Sequence, residues 1–287
     1  MSINAIYFLH SWLRAHIEIS AARLTPGWHT HEGLPSAVTM LPFVYILGLR
    51  LPTYGLTITC GFLVVLLLLR FQAKRFQIPY RRLFVLSVYS CAVAFLCAHL
   101  ACLIADGERL TLTRIVYISN GHMFYGFFFG ALLGAFFVTK IYRMSYYATL
   151  NICIPAWATA QVFGRIGCFF AGCCYGKLSS LPWAVTYNNP ECAAPIGVPL
   201  HPTQLYEAAA MSFVVIALFV IQRNKRLQPH LVFIYASCYA SVRFVEDFFR
   251  GDSEVSLFGV LTISQTVSAM ILLVLLAIFL VRRLCSP

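Results

Sequence analysis

Residues Gln161–Gly176 read QVFGRIGCFFAGCCYG. The stretch begins inside an apolar run and sets Arg165 among uncharged residues. Glycines follow at 164, 167, 172 and 176, and cysteines at 168, 173 and 174. Glycine lets backbone approach a ligand or another helix closely. A cation at the edge of lipid is costly unless it has a partner or an anionic ligand. The stretch therefore reads in two ways. It is a membrane-face site for something negatively charged, or a tightly packed helix end whose arginine reaches for water.

The apolar character extends along the chain in both directions. Of 287 residues, 60% are hydrophobic and 11% charged, which places the chain among membrane proteins. A span needs about 20 predominantly apolar residues. Seven segments qualify, at about 52–70, 83–105, 115–139, 145–164, 203–221, 230–249 and 258–281. The formal net charge of +11 does not signal nucleic acid, because the basic residues alternate between loops. Arg70, Lys74, Arg75, Arg81 and Arg82 follow segment one, Lys140 and Arg143 segment three, Arg223, Lys225 and Arg226 segment five, and Arg282 and Arg283 segment seven. Asp106, Glu108, Glu191, Asp252 and Glu254 fall in the other loops. Positive loops stay cytoplasmic and face anionic headgroups.

The expectation is an all-α polytopic membrane protein of seven transmembrane helices, amino terminus outside and carboxyl terminus cytoplasmic. Residues 1–50 form an extracytoplasmic arm without signal-peptide features, and Ile3 to Leu24 is too polar to span but suits an amphipathic surface helix. Residues 51–287 form the membrane domain, with a small extracytoplasmic loop region at 165–202. His29 and His31 stand two apart, but nothing else supports a metal there. Cys168, Cys173, Cys174 and Cys192 fall on the outer side, where disulfides persist, and their connectivity is open.

Further polar groups punctuate the apolar runs. Tyr54 sits at the mouth of segment one. In segment three, His122 and Tyr125 are three apart and share a face. Gly126, Gly130 and Gly134 are four apart, the spacing for close helix contact in lipid. Leu181–Tyr187 reads as a short strand. In Leu200–Glu207, LHPTQLYE, polar residues lead straight into a helix that Thr203 would cap, with Glu207 complementing the helix dipole or pairing with an arginine such as Arg165. In segment six, Arg243, Asp247 and Arg250 share a face. Arg243 is deep enough to need a partner, either Asp247 or, together with Arg165, a bound phosphate. No P-loop, dinucleotide-binding glycine pattern, zinc-protease helix or nucleophile elbow is present.

Taken together, Tyr54-Gly55, Phe124-Tyr125-Gly126, Gly164-Arg165-Ile166-Gly167 through Gly176, His201 through Glu207 and Arg243 through Arg250 resemble the bacterial phosphatidylglycerol–prolipoprotein diacylglyceryl transferase family. The resemblance runs from about Pro42 to the end. It implies an inner (plasma) membrane enzyme of lipoprotein biosynthesis with seven spans. The diacylglyceryl group of phosphatidylglycerol passes to the lipobox cysteine of a preprolipoprotein, and glycerol-1-phosphate leaves. The partners implied are these two substrates and membrane lipids, with no nucleic acid, and the reaction requires no metal or organic cofactor.

On this reading Arg165 and Arg243 clamp the phosphate, Tyr54 and Tyr125 line the site, and Asp247 and Arg250 order the second arginine. Gly126, Cys168, Gly176, Gln204 and Glu207 belong to the substrate-binding blocks. Many members carry histidine at the position of Tyr125, so His122, one turn earlier, is the candidate to move the thiol proton. Cys168 replaces a usual asparagine and Asp247 a usual glutamate. Two rival readings follow from these departures: an outer-face thiol or metal-binding membrane protein, and a catalytically silent lipid-binding paralogue.

Overall fold

The computed structural model describes residues 41–46, 48–105, 124–253, 255–257 and 260–284. The chain is mostly helical. In order come β1 (Phe43–Ile46), β2 (Leu49–Pro52), α1 (Thr53–Arg75), α2 (Tyr80–Ala105), α3 (Phe124–Ile141) and α4 (Tyr146–Ala171). Then follow β3 (Val185–Thr186), β4 (Pro199–Leu200), α5 (Thr203–Ile221), α6 (Leu231–Glu246), β5 (Val255–Leu257), β6 (Leu261–Thr262) and α7 (Ile263–Leu284). By length and composition α1, α2, α4, α5 and α7 can each cross a membrane. The described part of α3 and the 16-residue α6 are shorter. The protein is thus a polytopic membrane protein.

Two compact units divide the chain. The first, around Gln77–Thr149, is a helix pair. Gly126, Gly130 and Gly134 of α3 face Cys97, Ala98, Ala94 and Ser90 of α2. A Cβ added at Gly130 would lie 2.8 Å from the Cα of Ala94, and one at Gly134 2.7 Å from the Cα of Ser90. The glycine stripe therefore sets how near the two backbones come, as its spacing predicts. The Tyr146 hydroxyl closes this unit by donating to the Leu132 carbonyl at 3.1 Å.

The second unit is formed by Leu34–Phe76 and Leu150–Pro287. Here α4, α5 and α6 pack around Ala158, Leu218 and Leu231. At one end Gln72 of α1 donates to Gln222 at 2.7 Å, and Gln222 donates to the Ile152 carbonyl at 3.1 Å, so these buried amides satisfy one another. Against α4, Gly61 of α1 lies under the Phe163 ring, and Gly167 of α4 lies under Thr57 and Tyr54. At the other end the loop between α4 and α5 has its own small core of Phe169, Val185, Tyr187, Cys192, Ala194 and Leu200.

The all-α expectation needs one correction. Three antiparallel two-stranded ribbons, β1–β2, β3–β4 and β5–β6, each run into a helix. The strand expected over Leu181–Tyr187 narrows to Val185–Thr186, paired with Pro199–Leu200. Ribbons of two to four residues are too short for an alternating pattern to announce them.

Candidate functional site

Five helix ends of the second unit meet beside this loop core. Arg165 lies on the last two turns of α4, Glu207 near the start of α5, and Arg243 one turn from the end of α6. Arg165 Nη2 is 2.8 Å from Glu207 Oε2, and Arg243 Nη1 is 3.6 Å from the same oxygen. Glu207 is fully buried and both guanidiniums are 13% exposed. Two cations from separate helices therefore converge on one carboxylate. Arg243 also pairs with Glu246 and, through Nη2, with Asp247 Oδ1 at 3.3 Å. Tyr235, Tyr239 and Arg243 recur every four residues on α6, and both tyrosines lie within electrostatic reach of Glu207.

The start of α7 completes the support of Arg243. Thr262 and Gln265 form a reciprocal capping box: the Gln265 amide donates to Thr262 Oγ1 at 3.0 Å, and the Thr262 amide to Gln265 Oε1 at 3.1 Å. Thr262 Oγ1 donates in turn to Asp247 Oδ2. Ser253 donates to Asp247 Oδ1 at 2.9 Å, and Arg243 Nη2 to Ser264 Oγ at 3.1 Å. Arg250 is held mainly by Asp252, with Nε to Oδ1 at 2.9 Å and Nη2 to Oδ2 at 2.8 Å, whereas its nearest approach to Asp247 is 3.9 Å. Arg250 thus reaches Arg243 only through its longer pair with the shared Asp247 carboxylate. The fork-to-carboxylate geometry is satisfied locally by Asp252.

The motif blocks are joined by backbone. The Gly176 amide donates to the His201 carbonyl at 3.1 Å, the His201 amide to Lys177 at 2.9 Å, the Lys177 amide to Phe249 at 2.8 Å, and the Gly251 amide to Tyr175 at 2.9 Å. A Cβ at Gly176 would collide with the His201 carbonyl, so only glycine lets these strands of chain touch. Thr203 does not cap α5. Pro202 occupies the cap position without a side-chain bond, and the Thr203 hydroxyl instead donates to the Cys174 carbonyl at 2.8 Å. Gln204 Nε2 donates to the Cys173 carbonyl at 2.7 Å and to the Tyr187 hydroxyl at 3.2 Å.

This anchoring presents a group of thiols. The sulfurs of Cys168, Cys173 and Cys174 all lie within 4.8 Å of one another. All nine cysteines with described side chains are free. The Cys174 thiol is lowered by hydrogen bonds from the Cys168 and Cys173 thiols, then by the Arg250 and Arg165 guanidiniums, against its burial. Burial lowers the His201 imidazole. Burial also raises the Asp252 carboxyl, against the pull of Arg250. Tyr54, the second residue of α1, is 43% exposed and within electrostatic reach of the three thiols and Arg165.

Of the residues singled out in the sequence, Tyr54, Arg165, Cys168, Gly176, Gln204, Glu207, Arg243, Asp247 and Arg250 come together in this one unit. Gly126 packs α3 against α2 in the other unit. Tyr125 lies on α3, and His122 falls outside the described residues. Sequence reasoning missed Glu246, Asp252, Tyr235, Tyr239, Ser264 and the Thr262–Gln265 box. The box carried a readable signal, threonine followed three residues on by glutamine before an apolar run. The tyrosines were readable as four-residue steps back from Arg243.

Residues 42–281 match the family model of prolipoprotein diacylglyceryl transferase. A phosphatidylglycerol–prolipoprotein diacylglyceryl transferase from Clostridium tetani is 28% identical over 247 residues, which is 85% of this chain and 98% of that protein. The enzyme of that name from Dehalococcoides mccartyi (strain CBDB1) is 26% identical, over 84% of this chain and 93% of its own length. The one from Campylobacter jejuni is 28% identical, over 71% and 79%. With a match over most of its length, this chain belongs to the prolipoprotein diacylglyceryl transferase family.

Proposed function

We propose that this protein transfers the diacylglyceryl group of phosphatidylglycerol to the lipobox cysteine thiol of a preprolipoprotein and releases glycerol-1-phosphate. The observation that carries the reading is the convergence of Arg165 and Arg243 on Glu207. A lipid phosphate seated beside this carboxylate meets two guanidiniums held in place before it arrives. Fixed cations in a dry site stabilise the charge that develops on a departing phosphate ester. The acceptor sulfur attacks the terminal glyceryl carbon, the carbon–oxygen bond breaks, and its electron pair leaves with the phosphate oxygen. Tyr125 and His122 are the candidates to take the thiol proton.

Glu207 and Glu246 are buried side by side at Arg243, with a side-chain hydrogen bond between them. Their remaining oxygen lone pairs can accept from a ligand's hydroxyls. The glycerol headgroup of phosphatidylglycerol brings two hydroxyls on the far side of its phosphate, which choline and ethanolamine headgroups lack. We place the site at the outer face of a bacterial inner membrane crossed seven times, amino terminus outside. The alternation of basic loops supports this orientation. The loop at 165–202 is then extracytoplasmic, where secreted preproteins present their lipobox.

The test is transfer from labelled phosphatidylglycerol to a lipobox peptide by purified protein. Arg165→Ala and Arg243→Ala are expected to insert normally and to lose transfer. Normal turnover in both variants rejects the clamp. Wild-type protein that binds the lipid but never modifies the peptide identifies a silent paralogue.

A further inference from the structure

We propose that Cys168 and Cys174 form a redox pair whose disulfide strengthens the phosphate clamp and whose reduction weakens it; the effect on the clamp rests on the transferase reading above. The geometry carries the pair. The sulfurs of Cys168, Cys173 and Cys174 lie within 4.8 Å of one another, and all three are free. A disulfide sets its sulfurs about 2.05 Å apart, a closure within reach of side-chain rotation. Of the three bridges these thiols could make, two are disfavoured. Cys173 and Cys174 are adjacent, so their Cα atoms stand about 3.8 Å apart, below the usual range of about 4.4–6.8 Å for a bridged pair. The Cys173 sulfur is turned to the Cys168 carbonyl, 3.8 Å away. Cys168 with Cys174 is the bridge that remains.

The backbone presents these two residues to each other. Gly172 (φ +72°) and Cys174 (φ +58°) are left-handed, and they turn the chain so that Cys174 meets Cys168 on the last turn of α4. A left-handed non-glycine residue is uncommon and is held where the surroundings enforce it. Thr203 and Gln204, from the start of α5, do so by gripping the carbonyls of Cys174 and Cys173.

The same segment reaches the clamp. Arg165 stands one turn before Cys168 on α4, and Glu207 one turn after Thr203 on α5. Arg165 and Arg250 act on the Cys174 sulfur and favour its ionised form. As a thiolate, Cys174 competes with a lipid phosphate for Arg165 and places a like charge beside it. In the disulfide that charge is gone. The thiolate is also the form that starts thiol–disulfide exchange. On the outer face proposed above, disulfides form and persist. The oxidant is itself a disulfide, RSSR. The Cys174 thiolate attacks one of its sulfurs, the S–S bond breaks, and RS− leaves and is protonated by solvent. Cys168 then gives its proton to water and attacks the Cys174 sulfur, and the second RS− leaves. The two cysteines lose two electrons, and RSSR becomes two RSH.

The experiment uses the full chain, purified in detergent and divided between dithiothreitol and oxidised glutathione. Differential alkylation and peptide mapping of unmutated protein are expected to find Cys168 joined to Cys174 in the oxidised portion, with Cys173 still open to alkylation. Alkylation of both Cys168 and Cys174 there, or a bridge from either to another cysteine, overturns the pair.

Affinity for short-chain phosphatidylglycerol is then measured in both portions. Reduction is expected to weaken it about tenfold, the effect of one neighbouring like charge. Cys173→Ser should keep that difference, and Cys174→Ser should bind equally in both portions. Equal affinity of the unmutated protein in both, or a difference that survives in Cys174→Ser, overturns the effect on the clamp. A redox-dependent affinity without transfer to a lipobox peptide leaves the pair in place and refutes the transferase reading.

Discussion

Replacing Glu207 with glutamine keeps the side chain's shape and removes its charge. The carboxylate is fully buried, 2.8 Å from Arg165 and 3.6 Å from Arg243. At an effective dielectric of about 20, these separations correspond to attractions of about 6 and 5 kcal/mol. Desolvation of the carboxylate offsets a large part, and breaking a buried pair from one side leaves a net loss of about 3–5 kcal/mol. Arg243 keeps Glu246 and Asp247, so the loss falls mainly on Arg165. A domain of this size loses a few degrees of Tm per kcal/mol, which gives a fall of roughly 10 °C. A thermal melt in detergent reads it, followed by the rise in thiol-dye labelling as buried cysteines such as Cys153 of α4 become exposed. Displacement of Arg165 by about 1 Å should also lower turnover about 100-fold. A Glu207→Gln protein that melts within about 1 °C of wild type and turns over normally would refute the reasoning, since a change of that size is no larger than an ordinary surface substitution produces.

Other outcomes follow from the same structure. Gly176→Ala should cost about 1–3 kcal/mol and most of the activity, because its methyl meets the His201 carbonyl; Tm and transfer rate check it. Gly130→Leu should separate α2 from α3 in the first unit and lower Tm, read as a thermal melt. His201 has its folded pKa below the ordinary value. The unfolded chain therefore takes up its proton first as pH falls, so stability is full above the unfolded value of about 6.5 and declines below it. A His201→Gln variant should lose that part of the acid dependence, measured as Tm against pH.

The membrane helices were legible because long apolar runs have few alternatives in water or lipid; the run expected at 203–221 is α5 residue for residue. The glycine stripe was legible because four-residue spacing defines a helix face, and the face is what packs. Partnerships were less visible. Helical periodicity places Arg243 and Asp247 on one side at the end of α6, but it does not show that Thr262 of β6 and Ser264 of α7 reach them. Thr203 illustrates the same limit. Its position suits a cap, but its hydroxyl has a buried carbonyl to satisfy across the loop, and that tertiary bond prevails.

The hydroxyls of Thr262 and Ser264 join Arg243 and its carboxylate to the first turn of α7. The rest of that helix turns Met270, Leu273 and Leu276 outward, each more than half exposed. A helix long and apolar enough to cross a membrane thus begins at the hydroxyls that hold Arg243. On the proposed clamp, a tilt of α7 with bilayer thickness would reach the headgroup as a shift in angle, and transfer in thin and thick vesicles should differ even at equal phosphatidylglycerol content.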